Sequence, residues 1–299
     1  MIELTNEFKN RVVAALAVAR ENYDGSDAAF AKKIGISSSI YNRVKSGVID
    51  KIMRPEQWLS IGRLLDVSPD ERKWNMARTE VFDVIEEEVK FCQEFAKSKI
   101  FVDDCAIGKT YSAKYLSRTL KNCFYVDASQ CKTKIAFARA LAKCIGVESL
   151  GTYVAIKENI KYYLNVIQKP IVIIDEAGDL STEAFLDIKE LWNATDGSCG
   201  WYMLGADGLR AKIERGINGK RNGYKEIFSR MSDKFTSVVP NGRQDKVTFY
   251  RKLITDVLSV NMSDKSQLNK VVNRCLSTDT GAGEASGLRR AESLLILMQ

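Results

Sequence analysis

Asp103-Asp104-Cys105-Ala106-Ile107-Gly108-Lys109-Thr110 ends in Gly-Lys-Thr, directly after the short apolar run Ile100-Phe101-Val102. Further on stands Pro170-Ile-Val-Ile-Ile-Asp175-Glu176. A strand, a turn and Gly-Lys-Thr opening a helix make a phosphate cradle. Backbone N–H groups of the turn and of the first helical residues, Asp104 to Tyr111, surround the phosphates. Lys109 neutralises β/γ charge and the Thr110 hydroxyl ligates Mg²⁺. A buried strand ending in Asp175-Glu176 supplies a carboxylate that holds the metal through water, and a base for the attacking water. ATP with Mg²⁺ is the expected ligand. The pair of motifs carries more weight than either half, because Gly-Lys-Thr alone arises by chance. One position departs from G-x-x-x-x-G-K-[ST]. The first glycine is Asp103, which puts a carboxylate close to an anionic ligand and predicts a site that hydrolyses slowly.

The chain has 299 residues, 45% hydrophobic and 28% charged, enough for one large or two modest domains. No apolar run approaches the ~20 residues of a membrane span, and the N-terminus lacks a signal-peptide core, so a cytoplasmic protein without membrane contact is expected. The seven cysteines show no Cys-x-x-Cys pair, which suits reduced thiols. The absence of histidine removes Ser-His-Asp triads, Cys-His nucleophiles and His-ligated metals. A net charge of +7 fits a nucleic-acid partner or a mildly basic solvated surface.

Apolar spacing divides the chain into four stretches. Residues 1–68 read as short helices, with Phe8, Val12, Val13, Leu16 and Val18 on one face and Trp58, Leu59, Ile61, Leu64 and Leu65 on another. Ala31-x-x-x-Gly35 followed by a hydroxyl-rich helix matches a helix-turn-helix with a core of Phe30, Ile34, Ile36, Ile40 and Val44. Its exposed positions would be Ser38, Ser39, Tyr41, Asn42, Arg43 and Lys45, facing duplex DNA; the same core pattern also serves protein-binding bundles. Residues 69–98, with Glu86-Glu87-Glu88, read as a charged helical linker. From 99 to 240 short apolar runs (99–102, 123–126, 171–174, 201–204, 235–239) alternate with helices, the pattern of an α/β parallel sheet. Residues 241–299 return to helix and form a small lid.

Two arginines stand where an ATPase would need them. Arg230, in Phe228-Ser229-Arg230 before the last strand, can reach the γ-phosphate of a neighbouring subunit. Arg289 or Arg290, at the start of the last helix, can fold over the phosphates. Each is equally readable as surface charge. Basic stretches around Lys132-Thr133-Lys134 and Arg210, Lys212, Arg215, Lys220 and Arg221 are candidate phosphate contacts or solvated faces.

Residues 99–299 resemble the AAA+ ATPases, with Walker A at 103–110, Walker B at 171–176, an arginine finger at Arg230 and a sensor-two arginine at Arg289 or Arg290. Sensor one departs from the pattern, because Gly205-Ala206-Asp207 stands where Asn, Thr or Ser is usual. Within that group the stretch 208–230 and the helical head are similar to transposition proteins of the phage Mu B type, which activate transposases and bind target DNA. The resemblance implies a P-loop core with a helical lid behind a helix-turn-helix head. It also implies ATP-dependent, largely nonspecific duplex binding, self-assembly into filaments with the finger acting in trans, a transposase partner, and a bacterial host cytoplasm. A nucleotide-gated regulator without turnover and a helicase-loader-like protein are the alternatives.

Overall fold

The computed structural model describes residues 4–65, 67–69, 74–277 and 287–298. Part of the expected linker, 70–73, and the glycine-rich stretch before the last helix, 278–286, lie outside the described residues. The chain opens with four helices, α1 (Asn6–Glu21), α2 (Asp27–Ile34), α3 (Ser38–Lys45) and α4 (Pro55–Leu65). Thr5, Ser26 and Ser37 cap the first three by accepting N–H bonds three residues on. Gly35 ends α2 in the left-handed region at φ 81°, which costs glycine little.

A fifth helix, α5 (Glu80–Phe95), leads into β1 (Ser98–Val102) and α6 (Lys109–Thr119). Then follow β2 (Cys123–Asp127), α7 (Lys134–Ile145), α8 (Tyr153–Val166), β3 (Ile171–Asp175), α9 (Thr182–Ala194) and β4 (Gly200–Gly205). The core closes with α10 (Asp207–Asn218), α11 (Tyr224–Arg230) and β5 (Phe235–Thr236). The strands form one sheet in the order β2-β3-β4-β1-β5 with every pairing parallel. The loops after β1 and β3 therefore emerge at the same, carboxyl edge of the sheet, where α/β folds bind ligands.

Side chains alternate along each strand and divide between two cores. Ile100, Val102, Phe124, Val172, Ile174 and Met203 join Phe137, Leu141, Ile188 and Ile213 on one face. Phe101, Ile171, Ile173, Tyr202 and Leu204 join α5, α6 and Tyr250 on the other. Each such side chain fully withdrawn from water contributes about 2 kcal/mol.

Residues 69–98 depart from the linker reading. Val81, Phe82, Ile85, Val89 and Cys92 of α5 are all buried against the sheet, so this helix is a layer of the core. Its acidic run is misleading because Glu88 is itself buried. Glu88 accepts hydrogen bonds from Tyr202 Oη at 2.8 Å and Thr236 Oγ1 at 2.7 Å, and pairs with Lys99 at 2.9 Å. One carboxylate thereby joins α5 to β1, β4 and β5. Glu88→Ala strands these partners and is expected to cost on the order of 3 kcal/mol, read as a lower denaturation midpoint.

The helical head shares the first core. Tyr23 donates to the carbonyl of Ile145 at 2.7 Å, and its ring meets Phe124 at 6.5 Å. Gly146, at φ 88°, takes the close approach; a Cβ there would lie 2.6 Å from the Ala29 carbonyl oxygen. Val18 and Leu64, placed on apolar faces by spacing, are about half exposed. Ile40 is only partly buried. The lid comprises α12 (Arg243–Asn261), α13 (Leu268–Leu276) and α14 (Leu288–Leu297), packed around Ile254, Leu258, Val272, Cys275 and Leu295. Among the described residues no helix is long and apolar enough to cross a membrane.

Candidate nucleotide site

The turn after β1 is shaped by two residues at positive φ, Ala106 at 58° and Gly108 at 103°. Gly108 caps α6 without a side-chain hydrogen bond, so the open first turn of that helix faces outward. Lys109 is buried and donates to the carbonyls of Asp103 at 2.8 Å and Asp104 at 2.5 Å. Burial lowers its pKa, and the surrounding Cys105, Asp103, Glu176 and Asp175 oppose that shift. A buried ammonium resting on its own loop's carbonyls can be turned towards phosphate oxygens.

Asp103 corrects the expectation drawn from the motif. Its carboxylate turns away from the cradle, with Oδ2 accepting the N–H groups of Val238 at 2.6 Å and Val239 at 3.0 Å, and Oδ1 that of Asp104 at 2.8 Å. This contact also explains why β5 ends at Thr236 and not at 239. The N–H groups of Val238 and Val239 serve the loop, not a ladder. The Asp104 carboxylate likewise leaves the phosphate side, pairing with Lys246 at 2.6 Å and accepting from Tyr250 Oη at 2.8 Å. Burial alone would raise its pKa, but these partners hold it below the usual range.

A cavity of about 490 Å³ lies over the loop. Cys105 to Ser112 line it, together with Glu176 and Arg289. Asp104 and Arg290 are not on its wall, so of the two candidate arginines Arg289 faces the loop. The start of α14 is tied there directly. Leu288 N–H donates to the Ala106 carbonyl at 2.7 Å, and a Cβ on Gly287 would lie 2.5 Å from the same oxygen. The far wall was not legible in sequence. Trp74, Thr79 and Phe82 come from the entry to α5, and Val257 from α12. An aromatic, largely apolar wall opposite a phosphate loop suits a flat base.

On β3 the Asp175 carboxylate is buried and oriented from both sides. Tyr125 Oη donates to Oδ2 at 2.9 Å and the Glu176 N–H to Oδ1 at 3.0 Å. Glu176 sits in the left-handed region at φ 49°, a conformation costly for a residue with a Cβ and common at functional sites. Partial enclosure raises its pKa first, and the adjacent Asp175 adds to the shift. The open N-terminus of α6, Lys109, Thr110 at the cavity wall and the oriented Asp175 fit a nucleoside triphosphate with Mg²⁺. Such a metal, when bound, neutralises phosphate charge. The residues of this chain position the phosphates, and Glu176 can take a proton from water. Ala206 and Asp207 do not line the cavity.

Arg230 stands outside its own chain's cavity. Its Nε donates to Asn193 Oδ1 at 2.8 Å, its Nη1 to the Glu226 carbonyl at 3.0 Å, and its guanidinium lies 5.2 Å from the Trp192 ring centroid. The candidate DNA residues divide. Ser38, Ser39, Asn42 and Arg43 are exposed on α3, but Tyr41 is buried with its ring 5.3 Å from Phe30. Its hydroxyl suggested a surface role while its ring fills the core.

The two basic stretches, distant in sequence, converge on the segment after β3. Lys132 pairs with Asp179 at 3.0 Å, Lys134 with Glu183 at 3.4 Å, and the Lys132 carbonyl accepts from Ser181 N–H at 2.7 Å. Thr133 caps α7 through Ala136 N–H. From the other side Lys212 donates to the carbonyls of Gly178, at 3.0 Å, and Leu180. Lys212 is thereby a brace, and Arg210 lies over Phe235 with its Nε enclosed. Arg215, Lys220 and Arg221 remain exposed.

A parallel sheet with a phosphate loop after one strand and an oriented aspartate at the end of another defines a P-loop nucleotide-binding core of the AAA+ type. A family model described as an AAA domain matches residues 105–213, so the chain contains an AAA domain. No curated protein matches it.

Proposed function

We propose that this protein is an ATPase that binds duplex DNA in its ATP-loaded state, assembles with further copies of itself on that DNA, and presents it to a transposase. The observation that carries the ATPase reading is the gathering of Lys109, Thr110, Glu176 and Arg289 around one cavity, with Asp175 oriented beside it. Self-assembly is supported by Arg230, which Asn193 holds away from its own cavity, a placement that suits a finger serving a neighbour's γ-phosphate in trans.

DNA binding is supported by Arg215, Lys220 and Arg221, which stay exposed on the stretch that Lys212 braces against the segment after β3. The exposed Ser38, Ser39, Asn42 and Arg43 of the head offer a second, base-reading surface of the helix-turn-helix kind. Transposase activation rests on the resemblance alone. Imaging the protein on duplex DNA under ATP, ADP and no nucleotide tests the reading. Filaments only with ATP are expected, and unassembled protein in all three conditions refutes assembly. A pull-down with a transposase against one with a replicative helicase separates the proposed partner from a helicase loader's. ATP-dependent DNA binding without turnover would leave a nucleotide-gated regulator.

A further inference from the structure

Beyond the nucleotide cavity, a second hollow of about 260 Å³ opens between the start of α9 and the α10–α11 turn. Its polar wall is Thr182, Lys212, Arg215 and Arg221, with Tyr224 closing one side and glycine backbone exposed at Gly178. Three of the acidic side chains nearby are paired with lysines. Asp179 is held by Lys132 at 3.0 Å, Glu183 by Lys134 at 3.4 Å and Glu226 by Lys189 at 3.7 Å. The positive charge facing the hollow is thus left without a carboxylate among the described residues lining it.

Part of the wall is held in place. Lys212 is fixed by the Gly178 and Leu180 carbonyls, and Arg215 Nε donates to the Ala211 carbonyl at 3.0 Å. Tyr224 packs flat on Gly216, where an added Cβ would lie 2.2 Å from the ring. A concave surface with two guanidinium groups and a threonine hydroxyl matches a tetrahedral oxyanion. It has neither the apolar lining nor the volume of the nucleotide cavity.

We propose that this hollow is an oxyanion seat that takes one backbone phosphate of a nucleic acid, gripped by Arg215 and Arg221. The nucleic-acid source rests on the DNA-binding reading above, while affinity for an oxyanion rests on the hollow itself. Glu176 lines the nucleotide cavity, and Gly178 and Thr182, on the same short segment, line the seat.

The test measures duplex binding across salt concentrations for the full chain with a non-hydrolysable ATP analogue, and for Arg215→Ala and Arg221→Ala. Each substitution is expected to reduce the slope of log affinity against log salt by about one, with Arg215→Lys recovering most of it. Affinity for the ATP analogue without DNA stays unchanged. Unaltered slopes in both alanine variants overturn the seat and leave the DNA reading standing. If the unmodified protein binds no duplex, the DNA reading falls. Titration with inorganic pyrophosphate, the nucleotide cavity being saturated, then decides. Weaker binding by Arg221→Ala supports an oxyanion seat for free phosphate, and equal binding overturns it.

Discussion

Glu176→Gln is expected to lower ATP turnover by about 10²- to 10⁴-fold while leaving nucleotide affinity nearly unchanged. The substitution keeps the shape and the hydrogen-bonding reach of the side chain but removes its ability to accept a proton. Glu176 lies at the cavity wall, next to an aspartate already oriented by Tyr125, and its own backbone is held at φ 49°. Its raised pKa has a readable consequence. A base must be unprotonated, so turnover falls as pH drops through a pKa raised above that of a free glutamate, and the glutamine variant lacks that limb. Steady-state hydrolysis against pH, with DNA present, measures both effects. Turnover equal to that of the unmodified protein would remove Glu176 from the chemistry.

The parts of the fold legible in sequence are those where one residue's chemistry suffices. Fully buried parallel strands need continuous apolar runs, and Ile171–Asp175 and Gly200–Gly205 announce themselves that way. Gly108-Lys109-Thr110 is likewise local. The errors arise where a side chain serves two masters. Tyr41 offers a hydroxyl to the surface reading and a ring to the core, and the core prevails. Glu86-Glu87-Glu88 suggests a solvated linker, yet Glu88 faces inward because Tyr202, Thr236 and Lys99 converge on it from three strands. The wall of Trp74, Phe82 and Val257 has no local signature at all. It exists only because the lid and α5 meet above the loop, a tertiary event that spacing does not encode. The convergence of Lys132 and Lys212 on one segment is of the same kind.

Asp103→Gly, which restores the glycine of the usual loop motif, is expected to weaken nucleotide binding and to destabilise the protein. The motif by itself predicts the opposite sign, since removing a carboxylate from beside phosphates should tighten them. Geometry decides between the two. The Asp103 carboxylate is buried and accepts three N–H groups, two of them where the chain leaves β5 for the lid. Without it those donors lose a charged acceptor, at a cost on the order of 3 kcal/mol. The loop also loses its tie to the segment that carries α12, whose Lys246 and Tyr250 hold Asp104. The lid is then held to the phosphate loop only by the Asp104 contacts and by Leu288 on Ala106, and bound nucleotide is released faster. Asp103→Asn, which keeps one carbonyl acceptor, should fall between. Thermal midpoints and nucleotide dissociation rates for the three proteins measure the series. Tighter binding in the glycine variant at unchanged stability would return the carboxylate to the phosphate side of the loop.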